Sequence, residues 1–286
     1  DTPRTEQPAR QSNGIRTLMD QTEIHIFGEN SWLTQKNVSL ELLDFSGKKE
    51  FSEIKLNFNE AMDELSLDSV KITSPGGISK AIRKEEMNLM DEAWSGSAPR
   101  YPPGKILVAN IPNVDAGSKL EFNITRKSIN RPFFSFLEPL KTFNATEKKI
   151  IKILNPKRIP LKISERINGI LRERTSDDAK IEWTFENISP KSRENNMPPF
   201  WCASDFIAVS SGDWNKYCST LNEKLISASK DSKKSNAMIA SIFGGGEKLS
   251  PLEKCRLIRN YAAKIIKNAG PNFFELPEKC IGKADD

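Results

Sequence analysis

A cysteine near the end of the sequence is the clearest offer of covalent chemistry in the chain. Cys280 stands in the stretch EKCIGKADD. A thiol at the start of a helix is deprotonated more easily, because the helix dipole favours the thiolate that acts as nucleophile. Such a thiolate also needs a base, and in enzymes of this kind a histidine takes the proton and later returns it. The sequence holds one histidine, His25, between Ile24 and Ile26. The alternation there turns its ring away from the apolar side and toward solvent. No second histidine exists for a metal site or a Ser-His-Asp arrangement. Cys280 is the sole nucleophile candidate, and the expectation is that this chain, as it stands, is not catalytic and carries no metal and no cofactor.

Other polar groupings have plainer readings. Glu85-Glu86, Asp91-Glu92 and Asp177-Asp178 are carboxylate pairs, but they fall in loop-like polar stretches, and RTSDDAK reads as a solvated hairpin turn. FGGGEK is glycine-rich, yet it follows no strand and lacks phosphate-loop spacing, so it reads as a flexible connection between helices. The four cysteines, Cys202, Cys218, Cys255 and Cys280, form no CxxC pair and fit no zinc module. A Cys202–Cys218 disulfide and free buried thiols both remain open. Phe200, Trp201, Phe206 and Trp214 form an aromatic cluster near two prolines. They read as core joining two units, or as a groove that binds an extended peptide or glycan.

The elements that must position these residues show two periodicities. From about residue 22 to 188 the period is two. TEIHIF places Ile24 and Ile26 on one face, SEIKLNFN does so with Ile54, Leu56 and Phe58, SKLEFNIT with Leu120, Phe122 and Ile124, and AKIEWTFENI with Ile181, Trp183 and Phe185. These predict half-buried antiparallel strands, punctuated by turns at Pro75-Gly76-Gly77, Pro102-Pro103-Gly104, Asp115-Ala116-Gly117 and Asn155-Pro156. One apolar face per sheet must be covered, so the expectation is a mainly β chain built as an antiparallel β-sandwich, with a barrel as the alternative. After Pro198-Pro199 the period becomes helical. SGDWNKYCSTLNEKLISAS opens on Ser211 or Asp213 as N-cap, and SPLEKCRLIRNYAAKII carries a capping box from Ser250 to Glu253 with Pro251 in the first turn. Leu257, Ile258, Tyr261, Ile265 and Ile266 form the apolar stripe of that second helix. The expected organisation is a flexible N-terminus over 1–20, a β-sandwich over 21–200 and a small helical unit over 201–286.

Composition bounds the function. The 286 residues carry a formal charge of +5, with 37% hydrophobic and 28% charged residues, as in a globular protein with a modest core. No run of apolar residues is long enough to span a bilayer. The densest basic stretch, EKKIIKILNPKRIPLKISERINGILRER, alternates cations with Ile and Leu. It reads as solvated strand faces and not as a nucleic-acid surface. The polar start DTPRTEQPARQSNG, without a leading Met, reads as a mature or trimmed N-terminus. Sequons at Asn37, Asn123, Asn144 and Asn187 are no more than chance supplies.

The order of elements resembles domain-of-unknown-function family 3857. The resemblance runs through IHIFGENSWLTQKNVSLELLDFSGKKEFSEIKLNFN, LDSVKITSPGGI and ILVANIPNVDAGSKLEFNITRKSI, and covers most of residues 20–200. Its marks are the turn Pro75-Gly76-Gly77, then Pro112, Val114, Gly117, Leu120, Glu121 and Phe122, and the Trp-containing strand in KIEWTFENISPKSRENNMPPF. In that family the β domain precedes a transglutaminase-like domain, and GDWNKY with SPLEKCRLIRNYAAKII looks like the first two helices of such a domain. The resemblance implies an exported bacterial protein of the periplasm or cell surface. It also implies a Cys-His-Asp chemistry whose cysteine follows a Gly-Asp pair. Cys280 keeps Lys283 and Ala284 in register with that motif, but has Glu278-Lys279 before it and Gly282 where an Asp is expected.

Three functional readings follow. The first is a non-catalytic accessory sandwich that positions a downstream transglutaminase-like domain or binds an extended peptide or cell-wall polymer. The second is the N-terminal portion of a papain-like thiol peptidase or transglutaminase whose triad lies mostly downstream. The third is a carbohydrate-binding or adhesion sandwich. Peptide-resolved alkylation of the native chain tests the nucleophile directly: Cys280 is expected to react no faster than a model thiol, since nothing in the sequence lowers its pKa.

Overall fold

In the computed structural model, residues 14–99, 101–168, 172–177, 179–192, 196–199, 202, 204–230, 233–244, 249–266 and 281 are described. The chain divides into two units, one of residues 1–92 and 104–212, the other of residues 93–103 and 213–286.

The first unit is built on a long hairpin. Strand β1 (Ile15–Gly28) turns directly into β2 (Ser31–Leu42), with Gly28 opposite Ser31. The strand carries a β-bulge between Thr17 and Met19. The extra residue resets the alternation, so Ile15 before the bulge and Ile24 and Ile26 after it are all buried on the face that holds Leu40, Leu42 and Trp32 of β2. A short helix α1 (Phe45–Glu50), N-capped by the Asp44 carboxylate, leads to β3 (Glu53–Asn59). Gly47 there lies so near the Gly14 carbonyl oxygen that a Cβ would sit 2.2 Å from it, which only a glycine accommodates.

The remaining strands are β4 (Asp63–Thr73), β5 (Ser79–Ala81), β6 (Met87–Asp91), β7 (Gly104–Asn110), β8 (Lys119–Ser128), β9 (Ser135–Pro139), β10 (Ala145–Leu154), β11 (Lys162–Arg166), β12 (Arg172–Ser176), β13 (Lys180–Ile188) and β14 (Phe206–Ser210). Eight of the strands form one sheet in the order β12-β13-β10-β1-β2-β8-β4-β5, and two three-stranded sheets run β3-β7-β6 and β11-β14-β9. The chain is mainly β, as the alternation predicts, with one departure from a purely antiparallel plan. β1 and β10 pair in parallel, Arg16 opposite Ala145 through His25 opposite Leu154. The reason lies in the route: β8 runs along β1, β9 makes the return leg in a separate sheet, and β10 therefore arrives beside β1 in the same direction.

Each small sheet is joined to its own part of the large one by an apolar cluster. The first gathers Ile15, Leu40, Leu42, Val70, Ile72, Leu120 and Phe122 of the large sheet with Ile54 and Ala109 of β3 and β7. The second gathers Ile24, Ile26, Trp32, Ile151, Ile153, Trp183 and Phe185 with Ile207 and Val209 of β14. Both clusters use the same face of the large sheet, since Trp32, Leu40 and Leu42 share one side of β2.

The second unit contains α2 (Trp214–Ala228), α3 (Lys233–Phe243) and α4 (Pro251–Ile265). Asp213 caps α2 by accepting from Asn215 N and Lys216 N, and α4 opens on the capping box of Ser250 and Glu253. None of the three helices holds a buried residue; of the expected apolar stripe Leu257, Ile258, Ile265 and Ile266 are exposed and Tyr261 is half-buried. No helix of the described residues is long and apolar enough to cross a membrane.

Trp183 is fully buried and its indole Nε1 donates to Glu165 Oε1 at 3.0 Å. Trp183→Ala is expected to cost about 3–5 kcal/mol, whereas Leu252→Ala on exposed α4 should stay within about 0.5 kcal/mol. Urea denaturation followed by circular dichroism measures both.

Candidate functional site

Cys280, Phe200 and Trp201 lie outside the described residues. Phe206 opens β14 with the Arg166 guanidinium 5.0 Å from its ring centre. It belongs to the first unit, while Trp214, 61% exposed and edge-on to Tyr217, opens α2 in the second. Cys202, Cys218 and Cys255 are free thiols, and all three are exposed. His25 lies opposite Ile24 and Ile26, its Nε2 2.5 Å from Glu23 Oε1, while Lys152 Nζ donates to the other oxygen of Glu23 at 2.7 Å. The Asp177 carboxylate accepts from Ala179 N and Lys180 N, and these backbone donors hold its pKa below the usual range. Glu86 accepts from Arg83 N, and Asp91 from Lys105 Nζ. Among the described residues no three His, Cys, Asp or Glu side chains converge as a metal site would require.

A different group of polar residues does converge. Between the two apolar clusters, the covered face of the large sheet carries Asp20 and Thr22 of β1, Lys36 of β2 and Lys149 of β10. The Lys149 side chain is 3% exposed. Its ammonium donates to Asp20 Oδ2 at 2.8 Å and to the Glu138 carboxylate of β9. Lys36 Nζ stands 3.2 Å from Asp20 Oδ1 and 3.7 Å from Glu138 Oε1. Burial lowers the Lys149 pKa, but the Glu138 and Asp20 charges outweigh it and raise the ammonium pKa above its ordinary value. For Asp20, burial pushes the pKa up, and the Lys149 and Lys36 charges together bring it below the ordinary value.

Next to this quartet, on β8 and its neighbours, Asp63 is buried between two arginines. Its side chain accepts from Ser128 Oγ at 2.7 Å and Arg131 Nη2 at 2.6 Å, with Arg126 Nη1 at 3.6 Å. Arg126 sits opposite Thr34 of β2 and donates through Nη2 to the Asn57 carbonyl of β3 at 2.7 Å. Burial lowers the Arg126 pKa, the Asp63 charge raises it, and the Arg131 charge lowers it again, for a net decrease.

These contacts locate two strand edges. β3 and β9 each end their three-stranded sheets. Glu138 brings β9 to Lys36, and Asn57 brings β3 to Arg126, so the two edges meet the covered face of the large sheet at these cations. Along β3 lies a depression of about 460 Å³ whose apolar lining is Phe51, Ile54, Leu56 and Phe122 and whose charged lining pairs Lys49 and Lys55 with Glu50 and Glu53. The arrangement can hold an extended chain. It offers no nucleophile with a base.

Sequence alternation missed this site because it treated the cations of EKKIIKIL as one solvated row. Lys148 and Lys152 do face outward, but Lys149 shares its side of β10 with the buried Ile151 and Ile153. The available signal was the pattern itself, since a lysine in an inward register demands partners.

Lys149→Met would remove the more buried of the two cations that Asp20 and Glu138 share, leaving Lys36, and is expected to cost about 3–5 kcal/mol. The pH dependence carries a definite sign. Asp20, with its folded pKa lowered from 3.8, contributes stability that is complete above about pH 4 and is lost as pH falls below it. Lys149, raised from 10.5, contributes stability that is complete below about pH 10 and drains as pH rises through the folded value. Denaturant midpoints across pH, compared between wild type and Lys149→Met, should show both limbs flattened in the variant.

A family model described as Domain of Unknown Function with solved-structure structure (DUF3857) matches residues 29–192. No curated protein matches the chain. Among solved structures, a protein of Parabacteroides distasonis described as a putative protease shares the fold, with a TM-score of 0.78 at 16% identity over 93% of this chain. The match spans 53% of that protein, so this chain covers about half its length. An M1 zinc metallopeptidase of Deinococcus radiodurans aligns over 69% of this chain and 43% of its own at 11% identity. Its TM-score of 0.34 is too low to bear on the fold.

Proposed function

The chain belongs to the DUF3857 family, and from that membership we propose that it is the non-catalytic accessory region of an exported transglutaminase-like protein, acting in the periplasm or at the cell surface. The first unit serves as a rigid β scaffold, and α2–α4 form the opening of a downstream transglutaminase-like domain that completes them. The observation that carries this reading is the uncovered apolar surface of those helices. Leu252 is 60% exposed, Ile265 60% and Ile266 72%, although helices of this amphipathic kind gain most of their stability by burying such a stripe. A match spanning about half of a larger protein of the same fold is consistent with further chain to cover it. The distribution of the chemistry agrees: His25 is held by Glu23 on the β scaffold, and Cys202, Cys218 and Cys255 are exposed thiols.

Residues 1–286 alone are expected to hydrolyse no fluorogenic peptide and to incorporate no amine into a glutamine substrate. The protein extended through whatever residues are encoded after Asp286 should gain at least about tenfold hydrogen-exchange protection in α2 and α4, together with alkylation-sensitive activity. Activity in residues 1–286, or unchanged protection in the extended protein, would overturn the assignment.

A further inference from the structure

We propose that the free edge of β3 accepts an extended, acidic peptide segment as an added strand, with Arg126 anchoring its carboxylate. The inference rests on the reading of this chain as a positioning module and names what the module holds.

Among the described residues β3 pairs with β7 on one side only. In an antiparallel ladder, alternate residues direct both N–H and C=O away from the partner strand. The Asn57 carbonyl reaches Arg126 of another sheet, so Asn57 is one of the outward residues. Lys55, two positions earlier, shares its orientation, and so does Glu53. The edge therefore presents backbone donors and acceptors at the two-residue repeat of an extended peptide, roughly 7 Å. A glycan has no such row of alternating main-chain groups, which is why the occupant is assigned as a peptide.

The side-chain environment supplies the remaining selectivity. Ile54, Leu56, Phe51 and Phe122 form an apolar floor beside the edge, where alternate apolar side chains of an added strand would be buried. Beside the edge the cations Lys49, Lys55, Arg126 and Arg131 outnumber the anions Glu50, Glu53 and Asp63 by one. The imbalance falls on Arg126, because Arg131 holds the shared Asp63 at 2.6 Å while Arg126 stands off at 3.6 Å. In the unliganded chain Arg126 covers the Asn57 carbonyl. On docking, a peptide N–H takes that carbonyl, and the guanidinium turns to a peptide carboxylate, where a bidentate charge-assisted contact replaces a single bond to a neutral oxygen.

The test uses fluorescein-labelled peptides of about six residues alternating valine with glutamate, and measures anisotropy with the intact chain. Saturable binding is expected, weakened at least about tenfold when lysine replaces glutamate or when the peptide backbone is N-methylated on alternate residues. Arg126→Gln should erase the preference for glutamate. Lys127→Gln, on the opposite face of β8, should leave it intact. Lys55→Pro removes an outward N–H without breaking the β7 ladder and should abolish binding. If that variant does not fold, the N-methylated peptide carries the same question. Equal binding of the glutamate and lysine peptides, indifference to N-methylation, or no binding at millimolar peptide would overturn the proposal. So would a concentration-dependent dimer that the peptide disrupts, which would reassign the edge to a second copy. Binding is read without activity, so its failure leaves the accessory assignment standing, and catalysis by residues 1–286 would remove that assignment without touching the peptide site.

Discussion

The architecture of the β unit turns on one ammonium group. An eight-stranded sheet whose face is covered by two separate three-stranded sheets has two cores and a gap between them. Continuous apolar residues across that gap would lie open to water, and isolated polar ones would lose their solvation. Lys149 resolves the conflict by bringing together carboxylates from β1 and β9, which belong to different sheets. Such a cluster adds little stability over a well-packed apolar substitute, because desolvation offsets most of the Coulombic gain. What it supplies is register. Asp20 lies directly opposite Lys149 in the parallel β1–β10 pair. A slip by one residue would carry Lys149 to the outer face and bring Lys148 or Ile150 inward, leaving Asp20 and Glu138 with Lys36 as their remaining counter-charge.

That constraint also explains which parts of the fold were legible in the sequence. Strict alternation around Ile54, Leu56 and Phe58, or around Ile181, Trp183 and Phe185, reports local geometry and transfers directly to β3 and β13. The capping box at Ser250 and Glu253 is equally local, and α4 begins there. Three features depend on partners distant in sequence and left no such mark. The bulge after Thr17 lets Ile15 and Ile24, of opposite parity, share a face. The parallel pairing of β1 with β10 depends on the path of β9. The inward register of Lys149 depends on Glu138 and Asp20, and Asp20 lies in a different hairpin. Periodicity assigns a residue to a side of its own strand, but it does not say which strand stands opposite, and the polar cluster is defined by that second fact.

Of the expected aromatic group, Phe206 and Trp214 lie among the described residues. Phe206 and Trp214 are close in sequence, yet one begins a strand and the other a helix, and they fall in separate units. Proximity along the chain suggested a cluster. In the fold Phe206 stacks under Arg166 of the neighbouring strand β11, while Trp214 packs on the next turn of its own helix. Each of these contacts lies within the ring's own unit.

Edge strands show where the β unit has been closed and where it has been left open. β5 is only three residues long, and β12, with the sequence Arg-Glu-Arg-Thr-Ser, has no apolar side chain to offer a visiting strand. Both are the usual means of preventing edge-to-edge association. β3 is protected differently. Its outward positions carry Glu53 and Lys55, paired to each other at 2.5 Å, and its Asn57 carbonyl is covered by a side chain from a separate sheet. Protection by a side chain is reversible, because a guanidinium can be drawn away by a better acceptor, whereas a shortened strand or an all-polar one cannot be undone. An edge closed by length or composition is shut permanently. An edge closed by Arg126, over an apolar floor, is shut only until a carboxylate arrives.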